Sequence, residues 1–189
     1  MEFFNYVMVL ASVIVGLAVV HLLTGVARMV QRPERAKLYW VHMLWIVYIF
    51  HTALFWWWWE FGLAGIGQWT FELYIFVLYF AVLLYLLCAV LVPSSLGPYA
   101  DYRAFFFSRR RWLFGLLAVF SVLDLVDSAV KGRAHLMALG WPYFTIVAVR
   151  TILVLIGMKT RSETFHAFLV VAITVMLALL AFGSLHTMQ

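Results

Sequence analysis

Residues 71–92, FELYIFVLYFAVLLYLLCAVLV, contain one charged side chain, Glu72, in the first turn. At 1.5 Å per residue such a run forms a helix about as long as bilayer hydrocarbon is thick, roughly 30 Å. It is preceded by a glycine-rich turn, GLAGIGQ at 62–68, and followed by VPSSLGP at 92–98. A helix bounded in this way is expected to cross a membrane and stop.

The remainder of the chain repeats the pattern. Of its 189 residues 67% are apolar, 19% aromatic and 11% charged, and the mean hydropathy is +1.02. A soluble domain is usually about half apolar and a quarter charged. A water-soluble fold of this size could not hide so much apolar surface. Six apolar blocks are expected to span, at about 4–27, 38–60, 71–92, 112–131, 139–158 and 164–186. They are separated by RMVQRPERAK, GLAGIGQ, VPSSLGP, KGR and MKTRSE, which gives an all-α, polytopic six-span bundle in one transmembrane domain, residues 1–189. Pro142 falls in the first turn of the fifth span, where a missing N–H removes no helical bond. The first span opens MEFFNY, with Glu2 and no basic residues, and is expected to be retained rather than cleaved as a signal. Cys88 is the single cysteine, so no internal disulfide forms.

Basic residues set the expected orientation, because short cytoplasmic loops carry the Lys and Arg excess. The odd loops hold ten: Arg28, Arg32, Arg35, Lys37, Arg103, Arg109, Arg110, Arg111, Lys159 and Arg161. The fourth loop has only Lys131 and Arg133, and the second none. Both termini are therefore expected on the non-cytoplasmic side. The run FWWWW then lies at the outer end of span two, with Trp56, Trp57, Trp58 and Trp59 pointing around the axis as an interfacial belt. At the inner surface PYADYRAFFFSRRRW, 98–112, reads as a short interfacial segment whose Arg109, Arg110 and Arg111 meet anionic lipid headgroups. The net charge of +5 has the same origin, and a nucleic-acid partner would need a soluble basic domain that the chain has no room for.

Ionisable groups at membrane depth are costly and usually face the bundle interior or a wet cavity. Ser121, Asp124, Asp127 and Lys131 form one stripe on span four, and Tyr143, Arg150 and Gly157 recur every seven residues on span five. Counting from the inner ends places Asp124 roughly 18 Å deep and Arg150 roughly 12 Å deep, so an Asp124–Arg150 pair is expected, with Asp127–Lys131 as an i, i+4 pair. These two acids and two bases either fasten the helices or, with His51, line a path for protons or small ions. Glu60 and Glu72, flanking the glycine-rich turn, are read as solvated acids or a weak cation-attracting mouth rather than as catalytic partners.

His21, His42 and His166 fall at similar depth on three spans, which leaves a metal or a haem as a third reading, with no cofactor as the main expectation. His135 and His186 are expected at solvated outer ends. The chain lacks GxSxG, a Walker loop and HExxH, so no enzyme is expected. Ser12-x3-Gly16, with Ala18 and Gly25, offers close helix approach and suggests a homo-oligomer.

The segments GLAVVHLLTGVAR (16–28), LYWVHMLWIVY (38–48), FWWWWEF (55–61) and SRRRW (108–112) together resemble an uncharacterised family of short polytopic bacterial inner-membrane proteins. That resemblance implies a multi-pass inner-membrane location and brings no activity, ligand or catalytic residue. Two functions stay open: a channel or transporter for protons or small ions, and a non-catalytic membrane scaffold or sensor subunit whose charges are structural.

Overall fold

The computed structural model describes residues 2–31, 37–93, 97 and 99–185, with 183–185 described as backbone alone. Six α-helices follow in order: α1 Glu2–Gln31, α2 Trp40–Trp59, α3 Phe71–Leu91, α4 Tyr102–Val130, α5 Arg133–Lys159 and α6 Glu163–Leu185. All six are long and apolar enough to cross a bilayer. Among the described residues no strand occurs. His186 and the first-loop Arg32 and Arg35 lie outside the described residues.

The helix ends sort into two levels. The start of α1 meets the turn after α2, where Phe4 packs on Phe61 and Trp69 at 6.2 and 6.1 Å between ring centroids. Lys131 at the end of α4 reaches Glu60 at the end of α2. This is the tryptophan end of the bundle, holding Trp56–Trp59, Trp69 and Trp141. At the opposite, arginine end, Arg103 at the start of α4 pairs with Glu163 at the start of α6, and Tyr102 N–H donates to the Lys37 carbonyl at 3.3 Å. Both α1 and α6 have their chain-terminal ends at the tryptophan end.

Packing makes two layers. The sequence of neighbours α1, α3, α4, α5 forms one, and α2 with α6 lies over it, α2 touching α1, α3, α4 and α6. On α1 the buried residues Phe4, Ala11, Ala18 and Gly25 recur every seven, with Met8, Val15, Leu22 and Met29 between them. This seam keeps one face against its neighbour for the whole helix. Gly25 is its tightest point, where a Cβ would stand 2.0 Å from Val92 Cγ1. Gly16, by contrast, has nothing within 4 Å and faces outward. The small-residue contact inside this chain therefore runs through Ala11, Ala18 and Gly25, not through Ser12 and Gly16.

Local chemistry fixes the helix starts. Thr70 caps α3 by accepting from Leu73 N–H at 3.3 Å, and Asp101 caps α4 by accepting from Ala104 N–H at 2.8 Å. Because Asp101 starts the helix there, α4 begins ten residues before the expected 112 and takes in the segment expected to lie along the interface. Its 29 residues make it roughly 43 Å long, so the aromatic and basic turns extend beyond roughly 30 Å of hydrocarbon. Gly132, at φ 106°, makes the turn into α5. Gly140, at φ 62° and ψ −177°, then breaks α5 just before Trp141 and Pro142. The long helical stretch after that break corresponds to the expected fifth span.

Candidate functional site

The stripe on α4 faces α5 and the end of α2. Lys131 Nζ donates to Asp127 Oδ2 at 2.5 Å and to Glu60 Oε1 at 3.5 Å. All three side chains are buried, at 5% exposure for Lys131, 7% for Asp127 and 1% for Glu60. Gly62 makes room for the lysine stem, since a Cβ there would lie 3.3 Å from Lys131 Cδ and Cε. One oxygen of each acid, Glu60 Oε2 and Asp127 Oδ1, is buried with no hydrogen-bond partner among the described residues.

One turn deeper lies a second polar group, whose Asp124 is within electrostatic reach of Glu60 and Asp127. Arg150 Nη2 donates to Asp124 Oδ2 at 3.1 Å. The Tyr143 hydroxyl lies 2.9 Å from Ser128 Oγ and 3.3 Å from both Asp124 Oδ2 and the Asp124 carbonyl. Tyr143, Arg150 and Gly157 all turn to α4, and at Gly157 a Cβ would touch the Phe114 ring at 3.3 Å. Ser121 spends its hydroxyl on its own helix, donating to the Leu117 carbonyl at 3.1 Å.

Toward the arginine end the polar chain meets rings. The Arg150 guanidinium lies 5.8 Å from the Phe120 centroid. Phe120 packs on Phe80 at 5.2 Å, and Trp45 on Phe114 at 5.1 Å. The polar network thus occupies the tryptophan-end part of the bundle, and a layer of aromatic rings lies below it.

Glu60 corrects the sequence reading, in which it was a solvated acid beside an interfacial turn. It lies next to the tryptophan run in sequence, but the lysine that takes it up comes from 71 residues away. Glu72, in contrast, is exposed at the first turn of α3. With Glu60 included, the network holds three carboxylates against two cations among the described residues.

His51 does not join that network. Its Nδ1 lies 2.8 Å from the Val47 carbonyl of its own helix. The ring borders a cavity of about 600 Å³ between α2 and α6, with Tyr48, Phe55, Trp58, Thr174 and Ala178 among its walls.

The three other span histidines do not gather around one point. His21 faces Tyr85 at 6.1 Å between ring centroids. His42 and His166 are fully buried and both pack on Phe106, at 6.1 and 5.3 Å. His166 also stacks on Phe114 at 5.3 Å, and its Nε2 lies 3.2 Å from the Thr160 carbonyl. Among the described residues no three His, Cys, Asp or Glu side chains are grouped to hold a metal ion.

The belt residues divide by direction. Trp56 is buried against Phe80 at 5.4 Å, Trp59 is half-buried against Phe55, and Trp57 and Trp58 are exposed. The arginine run divides likewise. Arg109 and Arg111 are exposed, while Arg110 is buried and donates from Nη1 to the Phe107 carbonyl at 2.7 Å.

No protein-family model, curated protein or solved structure matches this chain.

Proposed function

We propose that the protein moves protons or another small cation across a bacterial inner membrane, using the polar network on α2, α4 and α5. The observation that carries this reading is the excess of carboxylate: Glu60, Asp127 and Asp124 are held against Lys131 and Arg150. A network meant only to fasten helices is most stable when its charges balance, because an uncompensated buried charge costs several kcal/mol. An excess acid is instead a place for a mobile positive charge. With the Lys and Arg excess inside, the tryptophan end faces outward, both termini lie outside, and the network lies in the outer half of the membrane.

The aromatic layer of Trp45, Phe80, Phe114 and Phe120 favours a second reading, in which the network fastens α2, α4 and α5 in a scaffold or sensor subunit that assembles with itself. Flux separates the two. Purified protein is reconstituted into liposomes that enclose either a pH-sensitive dye or a dye sensitive to sodium or potassium, and an ion gradient is imposed. Under the transport reading wild type conducts and Asp124→Asn, still folded, loses most of the flux. No flux from folded wild type retires transport and leaves the scaffold.

A further inference from the structure

The Glu60–Lys131–Asp127 triad contains two carboxylates and a single ammonium, and the groups packed around it do not make up the difference. From α4, Asp124 lies within electrostatic reach of both acids, and the groups that hold Asp124 are on α5: Arg150, whose guanidinium is bonded to it, and Tyr143. His135, at the exposed start of α5, lies within electrostatic reach of Lys131 but makes no described hydrogen bond to either carboxylate. The two acids are also not equivalent. Each leaves one oxygen without a partner among the described residues, but Asp127 holds the ammonium at 2.5 Å, whereas Glu60 stands 3.5 Å from it and is 1% exposed.

We propose that Glu60 carries a proton at neutral pH, stored opposite Asp127 across the Lys131 ammonium, so that the ion this site takes up and gives back is a proton rather than a metal cation. As the identity of the moved ion this rests on the transport reading above; as a protonation state it is measured independently of flux. The proton comes from bulk water, adds to one oxygen of the Glu60 carboxylate, and returns to water when it leaves. A hard metal cation would need about six oxygen ligands. The triad leaves two oxygens free, Glu60 Oε2 and Asp127 Oδ1, with an ammonium already between the acids. A proton needs one lone pair, and an orphaned neutral carboxyl is much less costly to bury than an orphaned carboxylate.

The test is the infrared spectrum of the full-length protein in lipid bilayers near neutral pH, read at the C=O stretch of protonated carboxyl groups. Wild type shows one such group, and side-chain ¹³C labelling of glutamate shifts it. In Glu60→Gln the band is lost. In Asp127→Asn it is lost as well, because Lys131 passes to Glu60 and ionises it. In Lys131→Met it doubles, because neither acid keeps a cation. Amide bands and size exclusion show that each variant is folded, and the near-isosteric Glu60→Gln carries the test if Lys131→Met does not fold. The proposal is overturned by a wild type with no protonated carboxyl, by a band that shifts with labelled aspartate instead of glutamate, by one that survives Glu60→Gln, or by one removed on adding sodium. A proton found on Glu60 without proton flux defeats the transport reading alone. Flux of a metal cation with no protonated carboxyl defeats this inference alone.

Discussion

At the scale of single residues the account turns on who stands opposite whom. Asp124 and Arg150 form a half-buried pair 3.1 Å apart, and removing one partner strands the other. Arg150→Met is expected to lower stability by about 3 kcal/mol, while Asp124→Asn combined with Arg150→Met recovers most of the loss. Thermal unfolding in detergent, read as a double-mutant cycle, checks this, and additive effects would mean that the pair is not coupled. A second contrast concerns two glycines of α1. Gly25→Ala drives a methyl into Val92, 2.0 Å away, and should cost about 1–3 kcal/mol, relieved by Val92→Ala. Gly16→Ala enters open space and should stay within about 0.5 kcal/mol of wild type. The sequence allowed the Asp124–Arg150 pair to be read because helical period and short-loop antiparallel geometry fix which faces meet. Glu60 was not legible in this way. Its neighbours in sequence are interfacial tryptophans, and nothing local reveals that Lys131 turns inward to meet it.

At the scale of elements, composition predicts existence better than extent. Six apolar blocks were legible because a bilayer imposes one length on every crossing. The start of α4 was not, since the arginines suggested a surface segment while Asp101 caps the helix a full ten residues earlier. On α5, Pro142 was correctly placed in a first turn, but the break itself is made by Gly140 at φ 62° and ψ −177°, a conformation open almost only to glycine. Gly140→Ala should therefore destabilise by about 1–3 kcal/mol, whereas Pro142→Ala should leave the break in place. Circular dichroism melts of the two variants in detergent compare them directly, and an unchanged melting midpoint for Gly140→Ala would contradict the assignment.

At the scale of the whole molecule, the six helices bring costly side chains to one end of the bundle and place a layer of aromatic rings next to them. The histidines show what periodicity could not supply: His21, His42 and His166 fall at similar depth by counting along the sequence, yet His21 packs on Tyr85 while His42 and His166 share Phe106, because which helices are neighbours depends on the layering of α2 and α6 over the others. The same layering carries His51 to a cavity between α2 and α6, away from the acids. The basic-residue asymmetry, ten against two across the loops, predicts that the tryptophan end faces out. Buried Cys88 is first replaced by alanine, and single cysteines are introduced at Gly67 and Arg133 at the tryptophan end and at Lys37 and Arg161 at the arginine end. Intact cells are then treated with a membrane-impermeant maleimide. Gly67→Cys and Arg133→Cys are expected to label from outside, and Lys37→Cys and Arg161→Cys only after the membrane is opened. Labelling of both ends from the same side would contradict the six-span bundle on which the network, its sidedness and its proton all depend.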